Sequence, residues 1–229
     1  MIYSRNLWFN PSYLLHCGFE AEKKGVPDEM LKAINETRAA CIWALGVNKL
    51  MGVQHLINIV DPKEQTPDAR AMLEAQPRGQ SKQRWGQYLD VEVVTYGEKE
   101  TDPIDKFLVQ KKLSPAKAYQ PGTIILCYVN KNVSNGKLWK DIYRDLSIAD
   151  LPQLDTFLLG KIHPTQPVYA MARVYPQFDS VIQINVMEEA KKKYSEPGGT
   201  RIIEFVSDDP KKLAVLKSQI PPKAYNPFL

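Results

Sequence analysis

The spacing of apolar residues changes several times along this chain, and each spacing predicts a different element. From Pro27 to about Leu50 the apolar positions Met30, Leu31, Ile34, Cys41 and Leu45 recur at the helical period, with alanines between them. Pro27-Asp28-Glu29 suits a helix start and Gly52 suits its end. Val53 to Val60 then reads as a strand, stopped by Asp61-Pro62. Thr66 to Leu73 is open between a strand and a short helix, and Pro67, by holding Thr66 extended, favours the strand. Leu89 to Tyr96 alternates, so Asp90, Glu92, Val94 and Tyr96 share one face and Leu89, Val91, Val93 and Thr95 the other. Pro103 to Leu113 reads as a helix around Ile104, Phe107, Leu108 and Val109. Thr123 to Val129 is apolar on both faces, the pattern of a central, buried strand.

The flanks are less regular. Residues 1–25 carry Leu7, Trp8, Phe9, Tyr13, Leu14, Leu15 and Phe19, which predicts an arm packed on the body with a short helix from Pro11. Residues 74–87 read as a polar loop holding Lys82, Arg84 and Trp85. After the turn pair Asn135-Gly136, Leu138 to Leu146 and Asp150 to Leu159 read as helices. Val168 to Tyr175 and Val181 to Met187 read as strands joined by a hairpin loop, and Arg201 to Val206 as a last strand. The chain is expected to be a single domain, with a core over 26–130 and a helical and β-rich C-terminal extension over 131–229.

Composition narrows the classes only a little. The 229 residues are 44% hydrophobic and 24% charged, as in an ordinary globular chain. No apolar run approaches the roughly 20 residues that span a bilayer, so no membrane role is expected. The start lacks the basic region and apolar core of a signal peptide. Three cysteines, Cys17, Cys41 and Cys127, form no CxxC, and a reducing, cytoplasmic location is expected. A net charge of +4 admits nucleic acid as a partner without singling it out. His16, His55 and His163 share no ligand spacing, and neither a phosphate-binding glycine motif nor GxSxG occurs.

One constellation carries chemistry. The order helix, strand, strand, strand, helix, strand, with Pro67-Asp68 on the second strand and Asp90-Val91-Glu92 on the third, resembles the core of the PD-(D/E)XK nuclease superfamily over about half the chain. The resemblance implies an α/β (α+β) fold with a restriction-endonuclease-like αβββαβ core and a mixed central sheet. It implies Mg²⁺-dependent hydrolysis of a phosphodiester bond, in DNA rather than RNA, with Mn²⁺ as an alternative ion. Asp68 and Asp90 are the implied metal ligands, Glu92 assists the metal or the attacking water, and Glu36 on the first helix is an accessory acid. Hard oxygen ligands suit such an ion, which lowers the pKa of bound water. Lys82, Arg84, Lys111 and Lys112 are candidates to neutralise phosphates, and Trp85 to stack on a base.

The motif departs at its lysine. If Asp90 is the motif acid, Glu92 stands at the lysine position. If Glu92 is the acid, Val94 stands there, and a lysine from elsewhere, such as Lys82, has to substitute. Two other classes stay open: a nucleic-acid-binding protein on the same fold without catalysis, and a protein–protein interaction or assembly module, such as a homo-oligomer, using the aromatic arm and the proline-rich tail.

Overall fold

A computed structural model describes residues 7–60, 67–74, 86–130, 138–162, 165–192, 200–205, 214–220 and 227–228. Its strands are β1 (Leu7–Phe9), β2 (His55–Ile59), β3 (Ala69–Glu74), β4 (Gly86–Tyr96), β5 (Ile124–Val129), β6 (Thr156–Lys161), β7 (Val168–Tyr175), β8 (Ile182–Asn185), β9 (Thr200–Phe205) and β10 (Ala214–Ile220). Its helices are α1 (Pro11–Lys23), α2 (Asp28–Met51), α3 (Ile104–Leu108), α4 (Trp139–Ser147) and α5 (Val186–Lys191), and a π-helical turn, Val109–Leu113, continues α3. The strands form one mixed sheet in the order β10-β9-β1-β2-β3-β4-β5-β6-β7-β8. Only β4–β5 and β5–β6 are parallel. Such pairs need crossovers, which α3 with its π-turn and α4 supply.

Helix α2 forms where the spacing predicts it. Pro27 precedes it, Asp28 and Glu29 sit in its first turn, and Gly52 ends it in the left-handed region at φ 63°. From Ala39 to Ala44 every residue is buried, because α1 covers one side of the helix and the sheet the other. Each large apolar side chain so buried contributes about 1.5–3 kcal/mol. Gly46 allows the close approach: a Cβ there would meet Met171 Cε at 2.4 Å and Ile184 Cδ1 at 3.1 Å.

The alternation in β4 divides two cores. Val91, with Leu89 and Val93 at its margin, packs on the face that carries α1, α2 and α5. Tyr96, with Val94 beside it, packs on the face that carries α3 and α4. Asp90 and Glu92 therefore leave β4 on the α3 side.

Several expectations need correction. Asp150 to Leu159 is not a helix. Its end becomes β6, whose residues 156–160 are buried on both faces between β5 and β7. Val181 to Met187 divides into β8 and the start of α5, with Asn185 capping α5 through its side chain. Within the Thr66 to Leu73 stretch, the described residues from Ala69 on form the strand β3, not a helix. The aromatic arm is a short strand and then α1, begun by Asn10 and Pro11. Most of the expected 74–87 loop, the Asn135-Gly136 turn, His163 and the 221–226 tail lie outside the described residues. Among the described residues, no helix is long and apolar enough to cross a membrane. The cysteines Cys17, Cys41 and Cys127 are buried and none is in a disulfide.

Candidate active site

Pro67 and Asp68 lead into β3, where the chain turns back beside β4. Asp68 Oδ2 accepts the Val93 backbone N–H at 2.6 Å. That bond spans two strands and holds the carboxylate at a fixed point on the sheet. Glu92, the neighbour of Val93, points into the α3 side and is 4% exposed. Its Oε2 accepts from Lys112 Nζ at 2.7 Å, and Lys112 is 16% exposed.

The π-turn explains how Lys112 gets there. Leu108 and Leu113 are both buried, five residues apart. An α-helix does not return to one face after five residues, whereas a π-turn does, and such turns are frequent at functional sites. The extra residue leaves Lys111 exposed and turns Lys112 to Glu92.

On the other side of Asp68 stands Glu36 of α2. It is 19% exposed and lies 3.6 Å from Lys32. Burial, and then the charge of Asp68, raises the Glu36 carboxyl above its ordinary value. Burial likewise raises Glu92, against the hydrogen bond and charge of Lys112, while Asp68 and Asp90 push it further up. Burial pulls Lys112 down, but Glu92 outweighs it and holds the ammonium above the ordinary lysine value. Tyr119 stands close enough to feel Lys112, Glu92 and Asp68.

The predicted residues thus separate into groups. Asp68 stands within electrostatic reach of Glu36 on one side and of Glu92 on the other, and Lys112 pairs with Glu92. Asp90 lies on the same face as Glu92 but pairs with Arg70, its neighbour in register on β3, at 3.5 Å. Its carboxyl is raised by burial and lowered less by Arg70. Lys111 is an exposed residue outside the cluster. Lys82, Arg84 and Trp85 lie outside the described residues. Sequence reasoning left out Lys32, Arg70 and Tyr119, and it grouped Lys112 with Lys111. The five-residue step from Leu108 to Leu113 was the signal that separates the two lysines.

The donor chemistry fits a hard divalent cation. Three partly buried carboxylates each feel the charge of another, and one lysine balances them. Among the described residues, no three His, Cys, Asp or Glu side chains group tightly enough to hold an ion alone. Mg²⁺ asks for less, since it keeps several waters and is often held by one or two carboxylates and a substrate phosphate. Compared with known proteins, the chain matches no family model, no curated protein and no solved structure.

Proposed function

We propose that the chain is a nuclease-like hydrolase that cuts phosphodiester bonds of nucleic acid, DNA rather than RNA, with a divalent cation. The observation that carries this reading is the meeting of Asp68, Glu92 and Lys112 at the β3–β4 pair, with Glu36 facing Asp68 from α2. The element order α2, β2, β3, β4, α3, β5 supports it further, because it is the αβββαβ order the resemblance implies. Lys112 reaches the acid that Val94 cannot serve, so a lysine from the following helix stands in for the one missing from the strand.

In this reading Asp68 and Glu92 would hold Mg²⁺ or Mn²⁺, with Glu36 at the margin. When bound, such an ion lowers the pKa of water and offsets charge developing on phosphate. Lys112 stays protonated beside Glu92 and steadies a phosphoryl oxygen as water attacks phosphorus and the ester P–O bond breaks, the leaving oxygen taking its proton from solvent. Glu36, with its raised carboxyl, is suited to receive the proton of the attacking water. Asp90 pairs with Arg70, which offsets part of the cost of its burial, and has a lesser part.

The test is cleavage of supercoiled plasmid, single-stranded DNA and RNA with Mg²⁺ or Mn²⁺, beside a chelator control. Asp68→Asn and Lys112→Met are expected to lower the rate by about 10²-fold or more, the usual scale for a group that stabilises the transition state. Asp90→Asn is expected to cost far less. No cutting of any substrate with either ion would sink the hydrolase reading. A loss in Asp90→Asn equal to that in Asp68→Asn would move the centre of the site to the Arg70 pair.

A further inference from the structure

The two acids of β4 share their sheet face with an arginine. Asp90 and Glu92 are two strand residues apart, about 7 Å along β4, and both leave it on the α3 side. Arg70 is the partner of Asp90 across the antiparallel β3–β4 pair, as Ala69 is of Val91. Residues directly opposite each other share a face, so Arg70 also lies on the α3 side. One step further along the same register sets Asp68 beside Glu92, where its carboxylate takes the Val93 N–H. Two neighbouring strands thus carry four charged residues at the corners of one patch. Asp68 and Arg70 stand on β3, Glu92 and Asp90 on β4. Lys112 joins from the π-turn through Glu92.

The two cations meet their acids differently. Lys112 Nζ donates to Glu92 at 2.7 Å. Arg70 Nε stands 3.5 Å from Asp90 Oδ1, and that oxygen is sealed from solvent with no directed hydrogen bond. The guanidinium therefore offsets Oδ1 chiefly through its charge. Arg70 is 16% and Asp90 24% exposed, so solvent screens the pair only in part. The charge is also permanent, since arginine does not deprotonate in a protein. Asp68, Asp90 and Glu92 carry three negative charges, of which Arg70 and Lys112 offset two; Glu36, facing Asp68, adds a fourth acid. One divalent ion suffices for such a balance and two would exceed it. Two-ion sites set their ions about 3.5–4 Å apart, and a second ion serving Asp90 would have to lie where the guanidinium already is.

We propose that Arg70 takes the place of a second divalent ion beside Asp90, and so restricts the carboxylate site to one metal. This rests on the metal-dependent reading of Asp68 and Glu92 and adds how many ions that site takes. Asp90 is then the counter-charge of Arg70 rather than a ligand. Arg70 acts through charge and position, and it touches neither the metal nor the reacting atoms.

The experiment counts Mn²⁺ bound to the full chain, from the loss of the free-ion signal in electron paramagnetic resonance, with folding checked by thermal melting. Cleavage with Mg²⁺ is measured on the same proteins. Wild type is expected to bind one ion. Arg70→Met, which keeps an apolar stem and removes the charge, is expected to bind two, and Arg70→Lys one. Asp90→Asn leaves Arg70 without its counter-charge and is expected to weaken the single ion several-fold. Arg70→Met with Asp90→Asn removes both charges and is expected to restore one ion at wild-type affinity. A double variant as weak as Asp90→Asn would make Asp90 a ligand and overturn the proposal, and this comparison decides even if Arg70→Met alone does not fold. Wild type that binds one ion and cuts, with Arg70→Met also binding one, overturns the role of Arg70 and leaves the hydrolase reading standing. One ion in wild type and two in Arg70→Met, without any cutting, keeps the role of Arg70 and removes the hydrolase. Two ions in wild type overturn the proposal alone, and none overturns it together with the metal-dependent reading.

Discussion

Glu36 is a carboxylate whose burial works against its charge. Burial and the neighbouring charge of Asp68 raise its carboxyl, and Lys32 offsets only part of that. A raised carboxyl means the folded chain binds the proton more readily than the unfolded chain does. Its stabilising contribution is therefore present below the ordinary carboxylate value and lost as pH rises through the raised one. At neutral pH the ionised group weakens the fold. Glu36→Gln is expected to stabilise the protein by about 1 kcal/mol, a rise in melting temperature of roughly 2–4 °C for a chain of this size. The same change is expected to slow cleavage, the usual exchange at a functional site. Thermal unfolding at neutral pH checks it, and a lower melting temperature would show that a favourable contact outweighs the burial. His55 acts in the opposite pH range. Its imidazole is buried with Nδ1 2.7 Å from Asn48 Oδ1, and burial lowers its pKa from 6.5 to about 4. Stability from the neutral ring is complete above 6.5 and is lost as pH falls through 4, a change of roughly 3 kcal/mol. Urea midpoints measured from pH 7 down to 4 are expected to fall more steeply in the wild type than in His55→Gln. Parallel curves would assign the acid loss to other groups.

The turn that ends α3 couples stability to the site. Lys112 and Glu92 are both largely buried, so removing one leaves the other without its counter-charge. Lys112→Met is expected to destabilise by about 3 kcal/mol, near the lower end for a broken buried pair. Glu92→Gln together with Lys112→Met is expected to recover most of that, because the unpaired charge goes too. Denaturant titration of the two single variants and the double variant measures the coupling. A double variant no better than the sum of the singles would mean that the pair contributes only by packing. The helix itself was legible in the sequence from Ile104, Phe107 and Leu108, but its last turn was not. Helical phasing treats Lys111 and Lys112 as equal neighbours on one surface, and only Leu113, buried five residues after Leu108, separates them. The acids on β4 were legible because alternation alone fixes their face. Which acid is central was not, since Arg70 reaches Asp90 only through the β3–β4 register. The misread 150–159 stretch fails for a related reason. A short apolar run buried on both sides has no periodicity that separates a strand from a helix, and only its place between β5 and β7 decides.

The ten strands make one sheet because the two ends of the chain meet on it. Strand β1 lies between β2 and β9, pairing with β9 at Leu7, Trp8 and Phe9. Strand β9 in turn pairs with β10, so the last two strands extend the edge that β1 would otherwise leave open. Local pattern cannot reveal this. Arg201 to Val206 reads as a strand, but nothing near it in sequence says that its partner begins at Leu7, and pairings across such a separation are set by the whole fold. The carboxylate cluster sits on β3 and β4, with β1 and β2 between it and the terminal pair. Loss of the pair should therefore affect stability and association before chemistry. A chain ending at Lys192 exposes the unpaired edge of β1, flanked by the large side chains of Trp8 and Phe9. Such an edge is a template for another chain. The shortened protein is expected to melt lower and to associate with rising concentration, seen by light scattering. Its cleavage per folded molecule is expected to stay near that of the full chain. If instead it stays monomeric and melts like the full chain, pairing to β9 contributes nothing to β1. If it stays folded but loses cleavage, the terminal strands or the residues around them reach the substrate.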